Sequence, residues 1–271
     1  MHTLRNRLVI YGGTAAAGLG SLALYRSLLE NRIDHKGLLI PGSTEGILLW
    51  AVGIAFAVLV LVMAHTIGGD GTYADNFPRS ISAGVLMIAA GAVMVRAIPG
   101  LDTGTNAAAL AVPVQTVMDA AGRYLPWAAA VSMAVLGLYR LFGKRPAGVF
   151  GGVLCLFYMV MLVSNYRLWS ADPQLHDYAY HLLAGVALML CSFHRTCCDA
   201  NVIQRKRLLI TGLMAAVCSA AALAGDFQRE FYLASMLFAA GSICTVKELP
   251  PDPEEEENPE EDGEVQTGEE I

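Results

Sequence analysis

Charged residues are scarce in this sequence. Asp, Glu, Lys and Arg make up 15% of the 271 residues, whereas hydrophobic residues make up 55%. Soluble domains contain about 25% charged residues, because their apolar core has to be covered by a polar shell. The composition therefore excludes an ordinary soluble domain and predicts an integral membrane protein, for which lipid is the solvent.

Signatures of known chemistry are also lacking. The sequence contains no phosphate-binding G-x-x-x-x-G-K-[ST], no H-E-x-x-H zinc motif and no G-x-S-x-G serine elbow. Its basic residues lie at the ends of apolar runs and form no stripe interleaved with exposed aromatics, which argues against a nucleic-acid partner. We therefore predict a protein that is not an enzyme and binds no cofactor.

A metal site was considered at His194, Cys197 and Cys198, which lie in a segment predicted to be a basic loop. Structural zinc sites usually have four ligands in tetrahedral order, and two adjacent cysteines cannot easily both reach one ion. No cysteine of the chain falls in a segment predicted to be outside the cell, so no disulfide framework is expected. We predict free thiols and no metal.

Eight continuous apolar segments have about the length that a membrane crossing requires, roughly 17–25 residues, although the last three are short. They are rich in Ala and Leu and do not alternate, which favours helices over strands. The predicted spans are Leu8–Leu28, Gly46–Ile67, Ile81–Ile98, Tyr124–Leu141, Ala147–Tyr166, Tyr178–Phe193, Leu208–Gly225 and Phe231–Val246. The predicted fold is all-α, a polytopic transmembrane helical bundle over residues 1–247.

Lys and Arg residues concentrate in the links after the fourth and sixth spans. In a topology of eight spans these links lie on one side, which the positive-inside rule makes cytoplasmic. The basic residues concerned are Arg140, Lys144, Arg145, Arg195, Arg205, Lys206 and Arg207. Both termini are then cytoplasmic, and the short links are typical of a bacterial inner-membrane protein.

One alternative topology has nine spans. In the eight-span topology Arg26, Arg32 and Lys36 lie outside, against the positive-inside rule. A ninth span over residues 104–122 moves them inside and the N-terminus outside. Its cost is a buried Asp119.

The C-terminal segment 248–271 is strongly acidic. It contains twelve of the 24 acidic residues and no Lys or Arg, whereas residues 1–246 carry 17 basic and 12 acidic side chains. Its charge and its prolines cannot support a core, which predicts a disordered cytoplasmic tail. A second interpretation is a docking segment for a basic partner.

Small residues recur at helical spacing in two of the spans. Gly12, Ala16 and Gly20 are four residues apart in the first span, and Gly84 and Gly91 are seven apart in the third. In lipid, close backbone approach at small residues supplies much of the contact between helices. The pattern predicts helix packing, within the chain or in a homo-oligomer.

Four polar residues are predicted to form an outward-facing vestibule: Arg96, Arg167, Asp177 and His181. Asp177 and His181 are four residues apart and share one helix face, so the carboxylate can stabilise the imidazolium. The competing interpretation is an interfacial belt, in which charged side chains at span ends reach the headgroups separately.

Two functions remain open on the sequence alone. The first is a non-enzymatic membrane protein that acts through helix association or through a partner bound in the membrane. The second is a transporter of small solutes or ions that uses the predicted vestibule. A cavity lined by polar side chains at the middle of the membrane would favour the transporter, and a packed bundle would favour the first function.

Overall fold

The computed structural model describes residues 2–31, 44–66, 71–101, 112–169 and 179–245. Within these ranges every regular element is helical, which confirms the all-α prediction. The helices are α1 (His2–Asn31), α2 (Thr44–Thr66), α3 (Tyr73–Asn76), α4 (Ile81–Ala97), α5 (Val112–Phe142), α6 (Gly148–Trp169), α7 (Ala179–Asp199), α8 (Arg205–Ala222) and α9 (Arg229–Ser242). The predicted tail, residues 248–271, lies outside the described residues.

Among the described residues, five segments are long and apolar enough to cross a membrane. They are Thr44–His65, Ile81–Gly100, Ala120–Phe142, Gly148–Arg167 and Ala179–Asp199. Helix α9 has only 14 residues, which is about 21 Å, and α8 begins with three basic residues. Each of the eight predicted spans overlaps one long helix, but the number of membrane crossings stays a prediction.

One helix end agrees closely with the predicted spans, and two boundaries depart from them. Helix α4 ends at Ala97, where Pro99 enters a 3₁₀ turn, close to the predicted end. Helix α5 begins at Val112 rather than Tyr124, so the described part of the proposed ninth span is continuous with the fourth and is not a separate helix. Helix α7 continues to Asp199, so the prediction that Cys197 and Cys198 lie in a loop is wrong.

Glycines allow α4 and α5 to approach closely. A β-carbon at Gly91 would lie 2.7 Å from the carbonyl oxygen of Ala130, and one at Gly84 would lie 2.9 Å from that of Gly137. These distances leave no room for a side chain. The predicted packing role of Gly84 and Gly91 is therefore confirmed.

The stripe of small residues on α1 does not pack within the chain. A β-carbon at Gly12 or Gly20 would meet no atom within 4 Å, and Ala16 is exposed. The buried face of α1 instead includes Ser21 and Tyr25, because this is the face that α2 and α8 cover. The prediction of an intramolecular packing face at Gly12, Ala16 and Gly20 is wrong, and the homo-oligomer stays a prediction.

The long helices form a ring with an added hairpin. Helices α4, α5, α6, α7, α8 and α9 each contact the next, and α9 closes the ring against α4. Aromatic rings fill the interior between α6 and α9, where the Tyr158 hydroxyl lies 3.2 Å from Ser235 Oγ. Helices α1 and α2 pack together outside this ring, and both contact α8. This arrangement places α1 and α4 on either side of α8 and α9.

Apolar side chains cover much of the outer surface. On α2, for example, Ile47 is 65% exposed and Ile54 is 61% exposed. Contiguous apolar surface of this kind is rare on soluble monomers. The five long apolar helices and this surface are compatible with a membrane protein.

Candidate functional site

A buried polar cluster occupies one end of the bundle, where α7 ends. The Nε of Arg195 donates to both carboxylate oxygens of Asp199, at 3.1 and 3.3 Å, and both side chains are fully buried. The Nη2 of Arg195 donates to the Tyr73 hydroxyl at 3.1 Å, and its guanidinium lies 4.0 Å from the ring centroid of Phe77. These contacts attach the segment between α2 and α4 to the end of α7.

Tyr73 is a neutral member of this cluster at physiological pH. Its burial raises the pKa of its phenol to about 12, while the positive charge of Arg195 acts in the opposite direction. A neutral phenol both accepts and donates hydrogen bonds. Tyr73 is therefore able to bridge Arg195 and the Asp199 carboxylate without adding charge.

Arg145 joins the two basic links to each other. Its Nε donates to the carbonyl oxygen of Asp199 at 2.7 Å, and its Nη1 donates to Asn201 Oδ1 at 3.2 Å. Arg205 at the start of α8 donates to the carbonyl oxygen of Thr245 at 3.2 Å. The links after α5 and α7 thus meet at the same end of the bundle, which we call the arginine end.

Arg140 is a further buried arginine of this end, beside Arg195 and Arg205. It is only 5% exposed, and its guanidinium lies 4.9 Å from the Phe77 ring centroid. Among the described residues, its buried Nε and Nη1 have no hydrogen-bond partner. Burying charged donors without acceptors is costly, so Arg140 presents a site for an anion.

A cleft of about 780 Å³ opens beside Arg140. Its walls come from α1 and α4, and its floor comes from α8 and α9. The polar lining residues at the arginine end are Tyr11, Thr14, Arg79, Ser80, Ser82, Arg140 and Thr245. Farther along, the lining is apolar and includes Leu19, Leu22, Leu86, Leu223 and Leu237. The cleft is therefore amphipathic, with its positive charge at one end.

The N-terminus of α4 adds positive potential to the polar end of the cleft. Ser80 is the N-cap residue, and its Oγ accepts a hydrogen bond from the Ala83 backbone N–H at 3.3 Å. Its hydroxyl also lies 3.2 Å from that of Ser82. Unpaired N–H groups and the helix dipole make such a terminus favourable for anions. Arg140, the two serines and the helix terminus therefore all lie at the polar end of the cleft.

The described residues of the predicted vestibule, Arg96, Arg167 and His181, lie at the opposite end. His181 is 4% exposed and is surrounded by the rings of Tyr25, Phe227 and Tyr232, with centroid distances of 6.3, 6.1 and 4.9 Å. Arg96 is exposed near the end of α4, and Arg167 is half-buried near the end of α6.

The partner proposed for His181, Asp177, lies outside the described residues. The Asp177–His181 pair and the vestibule therefore stay predictions.

The residues considered for a metal have other surroundings. His194 Nδ1 lies 2.8 Å from Gln204 Oε1, and Cys198 is buried at 1% exposure. Over the described ranges, no three His, Cys, Asp or Glu side chains are grouped so as to hold an ion.

Sequence reasoning missed the buried arginines, because it assigned Arg140 and Arg195 to cytoplasmic links. One signal was present: Arg195 and Asp199 are four residues apart, the spacing that pairs opposite charges on a helix. No comparable pattern distinguishes Arg140, whose burial depends on Phe77 and on the cleft.

Comparison of the chain with protein-family models, with curated proteins and with solved structures finds no match. The features on which a function can be argued are therefore structural. In the part of the chain that the structure describes, they are a helical bundle with five helices long and apolar enough to cross a membrane and an amphipathic cleft next to a buried arginine.

Proposed function

We propose that this chain is a non-enzymatic multi-pass membrane protein that binds a membrane component in the cleft between α1, α4, α8 and α9. The observation that carries the proposal is the cleft itself. Its volume of about 780 Å³ lies within the range of roughly 300–1,000 Å³ that is typical of ligand sites. Its lining is mostly apolar, as expected for a ligand that arrives from lipid.

The length of the cleft along α1 matches the thickness of one leaflet of the hydrocarbon core of a bilayer. Its lining residues on α1 run from Tyr11 to Leu22, and eleven helical steps correspond to about 16 Å. Half of a hydrocarbon core roughly 30 Å thick is about 15 Å. Leu19, which lines the cleft, is 69% exposed, so a lipid-facing surface leads into it.

The arginine end then belongs to the cytoplasmic face, with both termini in the cytosol. Supporting this, Arg140, Arg145, Arg195 and Arg205 all lie at that end, and the positive-inside rule retains such residues in the cytosol.

The transporter alternative has less support. It expects a cavity lined by polar side chains at the middle of the membrane, entered from the side of Arg167 and His181. The described cleft has its polar lining at the arginine end, and most of its lining is apolar.

Two adjacent alanines on α1 provide a matched test. Both Ala15 and Ala16 are exposed, but only Ala15 lines the cleft. We expect Ala15→Trp to fill the cleft and remove the lipid that co-purifies with the protein, counted by native mass spectrometry. Ala16→Trp should retain the wild-type number of lipids. Equal retention by both variants would contradict the proposal.

A further inference from the structure

We infer that the cleft binds one anionic phospholipid, whose phosphate is held by Arg140 and whose acyl chain extends towards Leu22 and Leu223. This inference rests on the proposed function and adds the chemical class of the ligand. It concerns a lipid of the leaflet at the arginine end.

Arg140 supplies donors that are already desolvated. Its side chain is 95% buried, since 5% of it is exposed, and its Nε and Nη1 have no partner in the part of the chain that the structure describes. A guanidinium matches phosphate oxygens through parallel N–H donors, and the parallel pairs are Nε with Nη2 and Nη1 with Nη2. A bound phosphate would therefore supply the acceptors that the surrounding protein lacks.

The charges around Arg140 leave it available to an external anion. The ionisable groups with the largest electrostatic influence on the Arg140 guanidinium are Arg195, Tyr73, Cys244 and Tyr11. None of these is a carboxylate. The carboxylate of the cluster, Asp199, is paired with Arg195. The site therefore has positive charge that an anion can neutralise.

Further polar groups line the part of the cleft assigned to the phospholipid headgroup. The Ser80 and Ser82 hydroxyls lie at the N-terminus of α4, and the exposed Arg79 lines the same part of the cleft. Phosphates are favoured at helix N-termini. A zwitterionic lipid carries the same phosphate, so the preference for an anionic lipid comes from the positive charges of Arg79 and Arg140, which disfavour a cationic choline group.

The acidic tail is the competing source of an anion, because it follows Thr245, which lines the cleft. Its large aliphatic residues are only Leu249, Val265 and Ile271. Three residues this far apart in sequence cannot fill a continuous apolar cleft that extends about 16 Å along α1, whereas one acyl chain can. We therefore assign the cleft to a lipid.

The experiment uses the full chain in mixed micelles with equal amounts of phosphatidylglycerol and phosphatidylcholine, and it reads bound lipids by native mass spectrometry. We expect the wild type to prefer phosphatidylglycerol. Arg140→Gln should reduce this preference about tenfold, as expected for lost hydrogen bonds to a charged group. It should leave a lipid bound in the cleft, because the apolar lining is unchanged.

The matched control is Lys144→Gln, which removes the same charge from an exposed site at the same end and should leave the preference unchanged. Ser82→Glu is a second test that does not depend on a buried substitution, because Ser82 is exposed. Its carboxylate should repel the phosphate and also abolish the preference.

Four results would overturn the inference. Equal loss of preference in Arg140→Gln and Lys144→Gln would indicate diffuse surface charge. An unchanged preference in Ser82→Glu would place the headgroup elsewhere. Phosphatidylglycerol binding that arises only after deletion of residues 249–271 would assign Arg140 to the tail. If Ala15→Trp removes the lipid while Arg140→Gln changes nothing, the proposed function stands and the ligand class is wrong.

Discussion

Arg195 and Asp199 form a salt bridge in which both side chains are completely buried, with an Nε–Oδ1 distance of 3.1 Å. One helical turn separates them, so the pair forms within α7. The pair also positions the segment before α4, because Arg195 contacts Tyr73 and Phe77 of that segment. The pair therefore fixes the framework beside which Arg140 and the cleft are placed.

Breaking this pair on one side should destabilise the protein strongly. Asp199→Asn leaves a buried guanidinium without its counter-charge, and we expect a loss of about 3–5 kcal/mol in the free energy of unfolding. Replacing both residues, as Arg195→Met with Asp199→Leu, should cost less, because no charge is left buried. Denaturation in mixed micelles followed by circular dichroism measures both.

An exposed pair of the same spacing is the control for that prediction. Arg26 and Glu30 are also four residues apart at 2.8 Å, but their side chains are 64% and 59% exposed. We expect Glu30→Ala to change stability by less than about 1 kcal/mol. Similar losses for Asp199→Asn and Glu30→Ala would show that burial does not matter here.

Tyr73 should make stability depend on alkaline pH. Its folded pKa is raised to about 12 by burial, above its unfolded value of about 10. A group whose folded pKa is raised contributes stability that is full below the unfolded pKa and is lost as pH rises through the folded pKa. We expect unfolding midpoints to fall between about pH 10 and pH 12, and Tyr73→Phe to reduce this fall. The same slope in both proteins would refute this role.

The close crossing of α4 and α5 gives a prediction on packing. Gly91→Ala places a β-carbon 2.7 Å from the Ala130 carbonyl oxygen, so the helices must separate, at a cost of about 1–3 kcal/mol. Gly12→Ala meets nothing within 4 Å and should be neutral or slightly stabilising, because Ala favours a helix. Thermal unfolding of the two variants compares them. A loss in Gly12→Ala as large as in Gly91→Ala would point to a contact outside the chain.

The predicted topology is tested by reporters of cellular compartment fused after residues 35, 112 and 271. The eight-span topology with cytoplasmic termini requires an outside report at the first two positions and a cytoplasmic report at the third. A cytoplasmic report at residue 35 would contradict it and favour nine spans.

Local patterns account for what the sequence predicted correctly. Long apolar runs define helices because only a helix satisfies its own backbone in lipid, and Pro99 ends α4 close to its predicted end. The membrane-compatible helical fold was therefore predictable. The packing of Gly84 and Gly91 followed from their spacing and the rule that small residues lie at helix contacts.

Tertiary contacts explain what the sequence did not predict. Tyr73 and Arg195 are 122 residues apart, and the burial of Arg140 depends on Phe77 from another segment. The cleft combines residues of five helices, α1, α4, α5, α8 and α9. Likewise, the packing face of α1 is set by where α2 and α8 lie, which spacing within α1 cannot reveal.

A structure of the full chain by cryo-electron microscopy, in nanodiscs containing phosphatidylglycerol, tests the central claim most directly. We predict elongated density along the cleft, starting at the Arg140 guanidinium and extending about 16 Å towards Leu22. An empty cleft, or α1 closed against α4 so that no cleft remains, would contradict the account.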